Sequence, residues 1–111
     1  MTMTLYNADL SPYASRNRLQ IRAKGIESKF AFTARPDVDA YRALTPTARM
    51  PALVIDGFVL PESETIAEYI EDTFPEPSLR GGDAVARAKV RLFPRLVDMY
   101  IAPAFNILFA Q

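Results

Sequence analysis

Asp56-Gly57 sits between two short β-rich runs, Ala52–Ile55 and Phe58–Leu60. Asp-Gly supplies the two positive-φ positions of a tight reversal whose twist matches that of the strands it joins. The pair therefore commits this stretch to an antiparallel hairpin. A hairpin cannot bury its apolar face alone, so the neighbouring segments must complete a sheet and cover it.

The segments before it supply both. Met3 to Tyr6 reads as a first strand ahead of Asn7-Ala8-Asp9. Ser11-Pro12 then opens a helix, with serine at the cap and proline at the first helical position. Gly25 suits the left-handed position that would end it after Lys24. Ala14 and Ile21 share one side of this helix, Leu19 and Ala23 another, which predicts packing on more than one side. Phe30 and Phe32 alternate with Ala31 and Thr33 as a second strand. Asp37 to Leu44 reads as a short helix ended before Pro46.

After Pro61 a helix starts at Glu62-Ser63. Ile66, Ala67, Ile70 and Phe74 lie on one face, with Glu64, Glu68, Glu71 and Asp72 around the rest. Pro75 to Gly82 is the linker candidate. Asp83 caps a long final helix, with Val85, Ala88, Leu92, Leu96 and Met99 at helical spacing. From Val90 onward Phe93, Val97, Tyr100 and Ile101 add a second apolar stripe. Such a helix is expected to be surrounded by others. The apolar run Met99 to Ala110 is too short for a bilayer span and is expected to be a buried helix. The order strand, helix, strand, helix, hairpin, helix implies a parallel βαβ unit with an antiparallel pair added to its sheet.

Composition narrows the chemistry. Among 111 residues, 13 basic side chains balance 13 acidic ones, which argues against a nucleic-acid surface. The sequence contains neither cysteine nor histidine. Cysteine nucleophiles, cysteine-ligated zinc, disulfide exchange and histidine-based triads are thereby excluded. With no metal site expected, no signal-peptide pattern at the N-terminus and no disulfides, the expected setting is cytoplasmic, away from membranes.

Three local motifs fall in order along this framework: Ser11-Pro12-Tyr13-Ala14-Ser15-Arg16, Ala48-Arg49-Met50-Pro51-Ala52-Leu53, and Pro61-Glu62-Ser63 opening a helix. Together they resemble the glutathione S-transferase family, in particular serine-type bacterial members with a tau- or zeta-like N-terminal region. The resemblance implies an α/β fold. Residues 1–79 would be a thioredoxin-like βαβαββα glutathione-binding domain, and 80–82 the end of the linker. Residues 83–111 would be the start of an all-helical C-terminal domain, so the chain is expected to be a fragment cut within that domain.

The resemblance also implies roles. Ser11 would activate the thiol of glutathione. Its local alternative is a plain helix cap; Tyr6 and Ser15 are rival hydroxyls. Met50 would precede a cis Pro51 and pair through its backbone with the glutathione peptide. Glu62 and Ser63 would hold the γ-glutamyl end, and Arg49 the glycine carboxylate. Arg16 is expected to pair with a nearby carboxylate. Asn17 and Gln20 depart from the small or apolar residues expected on this helix and are expected to loosen its packing. The implied activity is conjugation of glutathione, as co-substrate, to a hydrophobic electrophile by a likewise implied homodimer. Glutathione-dependent isomerisation is an enzyme alternative. A non-catalytic protein-binding module of the stringent-starvation type is a third.

Overall fold

The computed structural model describes residues 2–109. Met1, Ala110 and Gln111, the last two belonging to the predicted final helix, lie outside the described residues. The chain divides into two compact units, Met1–Pro77 and Ser78–Gln111.

The first unit is a four-stranded sheet carrying three helices, βαβαββα in order. It comprises β1 (Met3–Tyr6), α1 (Pro12–Lys24), β2 (Phe30–Thr33), α2 (Val38–Leu44), β3 (Ala52–Ile55), β4 (Phe58–Pro61) and α3 (Ser63–Thr73). The spatial order is β2-β1-β3-β4: β1 and β2 are parallel, and β3 and β4 are antiparallel to their neighbours. Asp56 and Gly57 both take positive φ, 49° and 82°, as the Asp-Gly reversal requires.

One rung runs across the whole sheet: Thr33 opposes Tyr6, Tyr6 opposes Ala52, and Ala52 opposes Pro61. It is the last rung of β1, β2 and β4 and the first of β3. All three sequence motifs leave the sheet from this one end.

The core joins Met3, Leu5, Phe30 and Leu53 of the sheet to Ile21 of α1 and Ile66 and Ile70 of α3. Each fully buried aliphatic here contributes about 1.5–3 kcal/mol.

α1 departs from its expected two-sided packing. Its buried residues are Ala14, Asn17, Ile21 and Lys24, one stripe at helical spacing, while Leu19 and Ala23 are exposed. Half that stripe is polar, and its partner is equally polar. Asn17 and Gln20, expected to loosen the packing of α1, both bond to α3. Asn17 Nδ2 donates to the Ser63 carbonyl at 3.0 Å and Gln20 Nε2 to the Ala67 carbonyl at 2.8 Å. One turn further, Lys24 Nζ reaches the Glu71 carboxylate at 2.9 Å and the carbonyls of Phe74 and Pro77 at 2.8 and 2.7 Å. Glu71, expected on the solvent face of α3, is buried. The α1–α3 interface is thus a ladder of polar ties beside an aliphatic core.

In the second unit Asp83 caps α4 (Ala84–Leu96), its Oδ1 accepting from Ala86 N–H at 2.8 Å. The long helix expected here is present, its backbone right-handed helical at Leu96, Val97 and Ala102, where only the hydrogen-bond register changes. α4 contains Pro94, which has no N–H to continue the ladder. A π-helical turn, Val97–Ile101, follows, in which Ala102 N–H reaches back five residues to Val97, and then α5 (Ala102–Phe109). The expected burial of the Met99 run is not met. Tyr100, Phe105 and Ile107 are all more than half exposed, because nothing among the described residues covers them. No helix among the described residues is long and apolar enough to cross a membrane.

Candidate functional site

Ser11 caps α1 from extended backbone, its Oγ accepting from Ala14 N–H at 3.1 Å. That bond occupies a lone pair and leaves the hydroxyl proton available. The loop leading to Ser11 is pinned from α1 itself. Arg18 donates to Asn7 Oδ1, to the Ala8 carbonyl at 2.9 Å and to the Asp9 carbonyl at 3.2 Å. Nothing in the spacing of Arg18 reveals this contact back across the loop.

Ser63 is the first residue of α3 and is buried. Arg16 Nη1 donates to its Oγ at 3.1 Å, so this hydroxyl too accepts one bond and keeps its proton. Arg16 also lies 3.8 Å from the Glu64 carboxylate, the expected ion pair. Ser15 turns its hydroxyl to the Pro12 carbonyl at 2.9 Å, within its own helix.

Glu62, expected within the helix start, stands just before it as the cap residue. It is exposed, its side chain makes no capping bond, and its φ is 74°. A non-glycine residue held at such φ costs on the order of 1–3 kcal/mol.

The Met50–Pro51 bond is cis, as the resemblance implies; Glu76–Pro77 is also cis, which no sequence signal announced. Met50 is half-buried and lies beyond the last rung, outside the sheet ladder. Arg49 is exposed, but its carbonyl accepts from Tyr41 Oη at 2.7 Å. Tyr41, which sequence reasoning passed over, is fully buried in α2 and packs edge-on to Tyr6 with ring centroids 5.5 Å apart. Burial pushes its phenol up to about 12; Tyr6 adds to the rise and Arg35 opposes it. The available signal was chemical: a tyrosine in a core needs a partner for its hydroxyl.

Beyond the same rung lies a cavity of about 320 Å³ lined by Asn7, Ala8, Asp9, Met50 and the stretch Phe32 to Arg35. Apart from Met50 these residues carry no motif; they arrive because β1 and β2 end together. The sheet end therefore gathers two helix N-termini with serine hydroxyls, a strained acidic residue, Met50 outside the ladder just before β3, and an open groove. Such an arrangement can take an extended, polar, anionic ligand.

Known proteins share this fold. The protein LigF of Sphingobium sp. is 34% identical over 106 residues, covering 90% of this chain and 41% of LigF. Maleylpyruvate isomerase of Ralstonia sp. is 32% identical over 108 residues, covering 94% of this chain and 51% of that protein. The chain thus spans about half the length of these relatives. A glutathione transferase family member from Pseudomonas fluorescens Pf-5, solved with bound glutathione, superposes with a TM-score of 0.79 at 27% identity over 87% of this chain and 50% of its own. Residues 5–78 match the family described as glutathione S-transferase, N-terminal domain. With that match over most of its length, the chain belongs to the glutathione S-transferase family.

Proposed function

We propose that this chain binds reduced glutathione at the strand ends and that Ser11 activates the bound thiol for attack on a hydrophobic electrophile. One observation carries the proposal. Ser11 and Ser63 stand at the N-termini of two helices leaving one sheet end, each accepting a single hydrogen bond and each keeping its proton.

A free thiol near pKa 8.5 is only a few per cent ionised at neutral pH. Lowering it by one to two units needs about 1.4–2.7 kcal/mol. A charge-assisted hydrogen bond from Ser11 supplies about 1.5–3 kcal/mol, and the N-terminus of α1 adds about 0.3–1. At that pKa the thiol proton leaves to solvent water, and no protein base is required. Ser63 offers its hydroxyl and N–H to the γ-glutamyl carboxylate, and Glu62 accepts from the ammonium group beside it. Met50, just before β3, pairs with the peptide through its backbone, and Arg49 holds the glycine carboxylate. The thiolate then forms a carbon–sulfur bond as the electrophile's electron pair moves to its leaving group or conjugated system. The exposed apolar residues of α4 and α5 support association of the whole protein, as a homodimer, through its helical part.

Similarity to a maleylpyruvate isomerase favours a second outcome for the same site, in which the thiolate adds to a conjugated double bond and departs again. Glutathione is consumed in conjugation and regenerated in isomerisation, so following its concentration separates the two.

The test is calorimetric titration with reduced glutathione. Wild type should bind. Ser63→Ala should weaken binding about tenfold. Ser11→Ala should leave affinity within about threefold but raise the bound thiol's pKa by about a unit, read from thiolate absorbance. No heat and no thermal shift at millimolar glutathione would sink the proposal and favour a protein-binding module.

A further inference from the structure

Two consecutive residues of α1 reach the same residue of α3. Arg16 donates to the Ser63 hydroxyl oxygen, and Asn17 Nδ2 to the Ser63 carbonyl. Asn17 is fully buried. Its amide orientation is forced, because turning the oxygen toward that carbonyl would set two acceptors face to face. Oδ1 is left pointing elsewhere, and no donor meets it among the described residues. An amide buried with its acceptor unmet is a poor device for stability, since an apolar side chain of similar volume carries no such cost. What it does fix is the place of Ser63.

That place matters because of how the two serines arise. Ser11 caps the helix that carries Asn17, while Ser63 opens the other. If they grip the thiol and the γ-glutamyl end of one molecule, the separation of the two helix N-termini must match that ligand. The sheet sets this separation only as far as the strand ends; the loop Asn7–Leu10 and the strained Glu62 intervene. The Asn17 bond spans the gap directly, from the second turn of α1 to the first residue of α3.

We propose that Asn17 is a positioning residue for glutathione binding, holding Ser63 at the distance from Ser11 that glutathione requires. The proposal rests on the glutathione site described above.

Gln20 provides a matched control. It makes the same kind of bond, to the Ala67 carbonyl, one turn further from the site, and its Oε1 is likewise buried without a donor. A general contribution to helix packing would make the two amides equivalent; a positioning role makes only Asn17 matter.

The experiment compares wild type, Asn17→Leu and Gln20→Leu, titrated with glutathione and with cysteinylglycine, the same thiol without its γ-glutamyl group. Asn17→Leu is expected to lose about five- to tenfold in glutathione affinity. It should keep its affinity for cysteinylglycine and its melting temperature. Gln20→Leu should bind both as wild type does. Unchanged glutathione affinity in Asn17→Leu, or an equal loss in Gln20→Leu, overturns the proposal. If wild type takes up no glutathione, the ligand reading itself has failed. Amide hydrogen exchange over the first turn of α3 then decides the placement of Ser63. Lost protection in Asn17→Leu alone upholds the clamp, and equal protection in both variants overturns it.

Discussion

Replacing Lys24 by methionine removes a charge from a place where water cannot compensate. The Lys24 side chain is 0% exposed, and its ammonium group has three acceptors within 2.9 Å: Glu71 Oε2 and the carbonyls of Phe74 and Pro77. Methionine keeps the length and the packing but none of the donors. Breaking one side of a buried pair costs about 3–5 kcal/mol, and each stranded carbonyl belongs to the same order, about 1–3 kcal/mol. These overlap, so we expect a loss of about 4 kcal/mol. At roughly 4–8 °C per kcal/mol for a domain of this size, the melting temperature should fall by about 15 °C or more. The contrast is Arg16→Met, which breaks an ion pair that is 3.8 Å long and 22% and 29% exposed. Its ionic part should cost no more than about 1 kcal/mol. Thermal melts followed by far-ultraviolet circular dichroism read both. A double-mutant cycle with Glu71→Gln should return a coupling of about 1–3 kcal/mol, since the carboxylate need no longer be neutralised. A Lys24→Met loss below about 1 kcal/mol, or a cycle with no coupling, would refute the view that this tie holds α1 to α3.

Three further outcomes follow from the same structure. Tyr41 titrates higher in the fold, at about 12, than its usual 10, so the fold favours the neutral phenol. Its contribution is complete below about pH 10 and is lost as pH rises toward 12; Tyr41→Phe should abolish that alkaline loss, measured by urea melts across the range, while costing about 1 kcal/mol below it. Glu62→Gly should relieve the positive φ and raise stability by about 1 kcal/mol, yet weaken glutathione uptake by calorimetry; a destabilised variant would count against strain at this position. The chain should associate in solution through Phe93, Tyr100 and Phe105, and a monodisperse monomer in light scattering would contradict this.

What could be read in the sequence was local. Ser11, Pro12 and Gly25 delimit α1 by cap chemistry that needs no partner, and Asp56-Gly57 fixes the hairpin by its own backbone preference. What could not be read depended on the opposite surface. Lys24 looks like a solvent position, and Asn17 like a flaw in the packing, until α3 brings the Ser63 carbonyl and the Glu71 carboxylate to them, so an interface that is half polar leaves no apolar period to find. Tyr41 and Phe32 to Arg35 reach the candidate site through strand register and an α2 contact, neither of which has a spacing signature. In the second unit, apolar spacing revealed the helices but not their exposure, because periodicity reports which residues seek cover and not whether the described residues provide it.

The shared last rung of the sheet also divides the first unit for an engineer. With β3 and β4 four residues long, the Asp56-Gly57 reversal stands roughly 13 Å away at the far end from Met50 and Glu62. Phe58 beside it is 61% exposed, and a side chain at Gly57 would meet no atom within 4 Å, though its positive φ reserves that position for glycine. A fluorophore at Phe58, or a peptide tag spliced into an enlarged turn, should therefore report on or immobilise the protein while leaving the ligand end as it is.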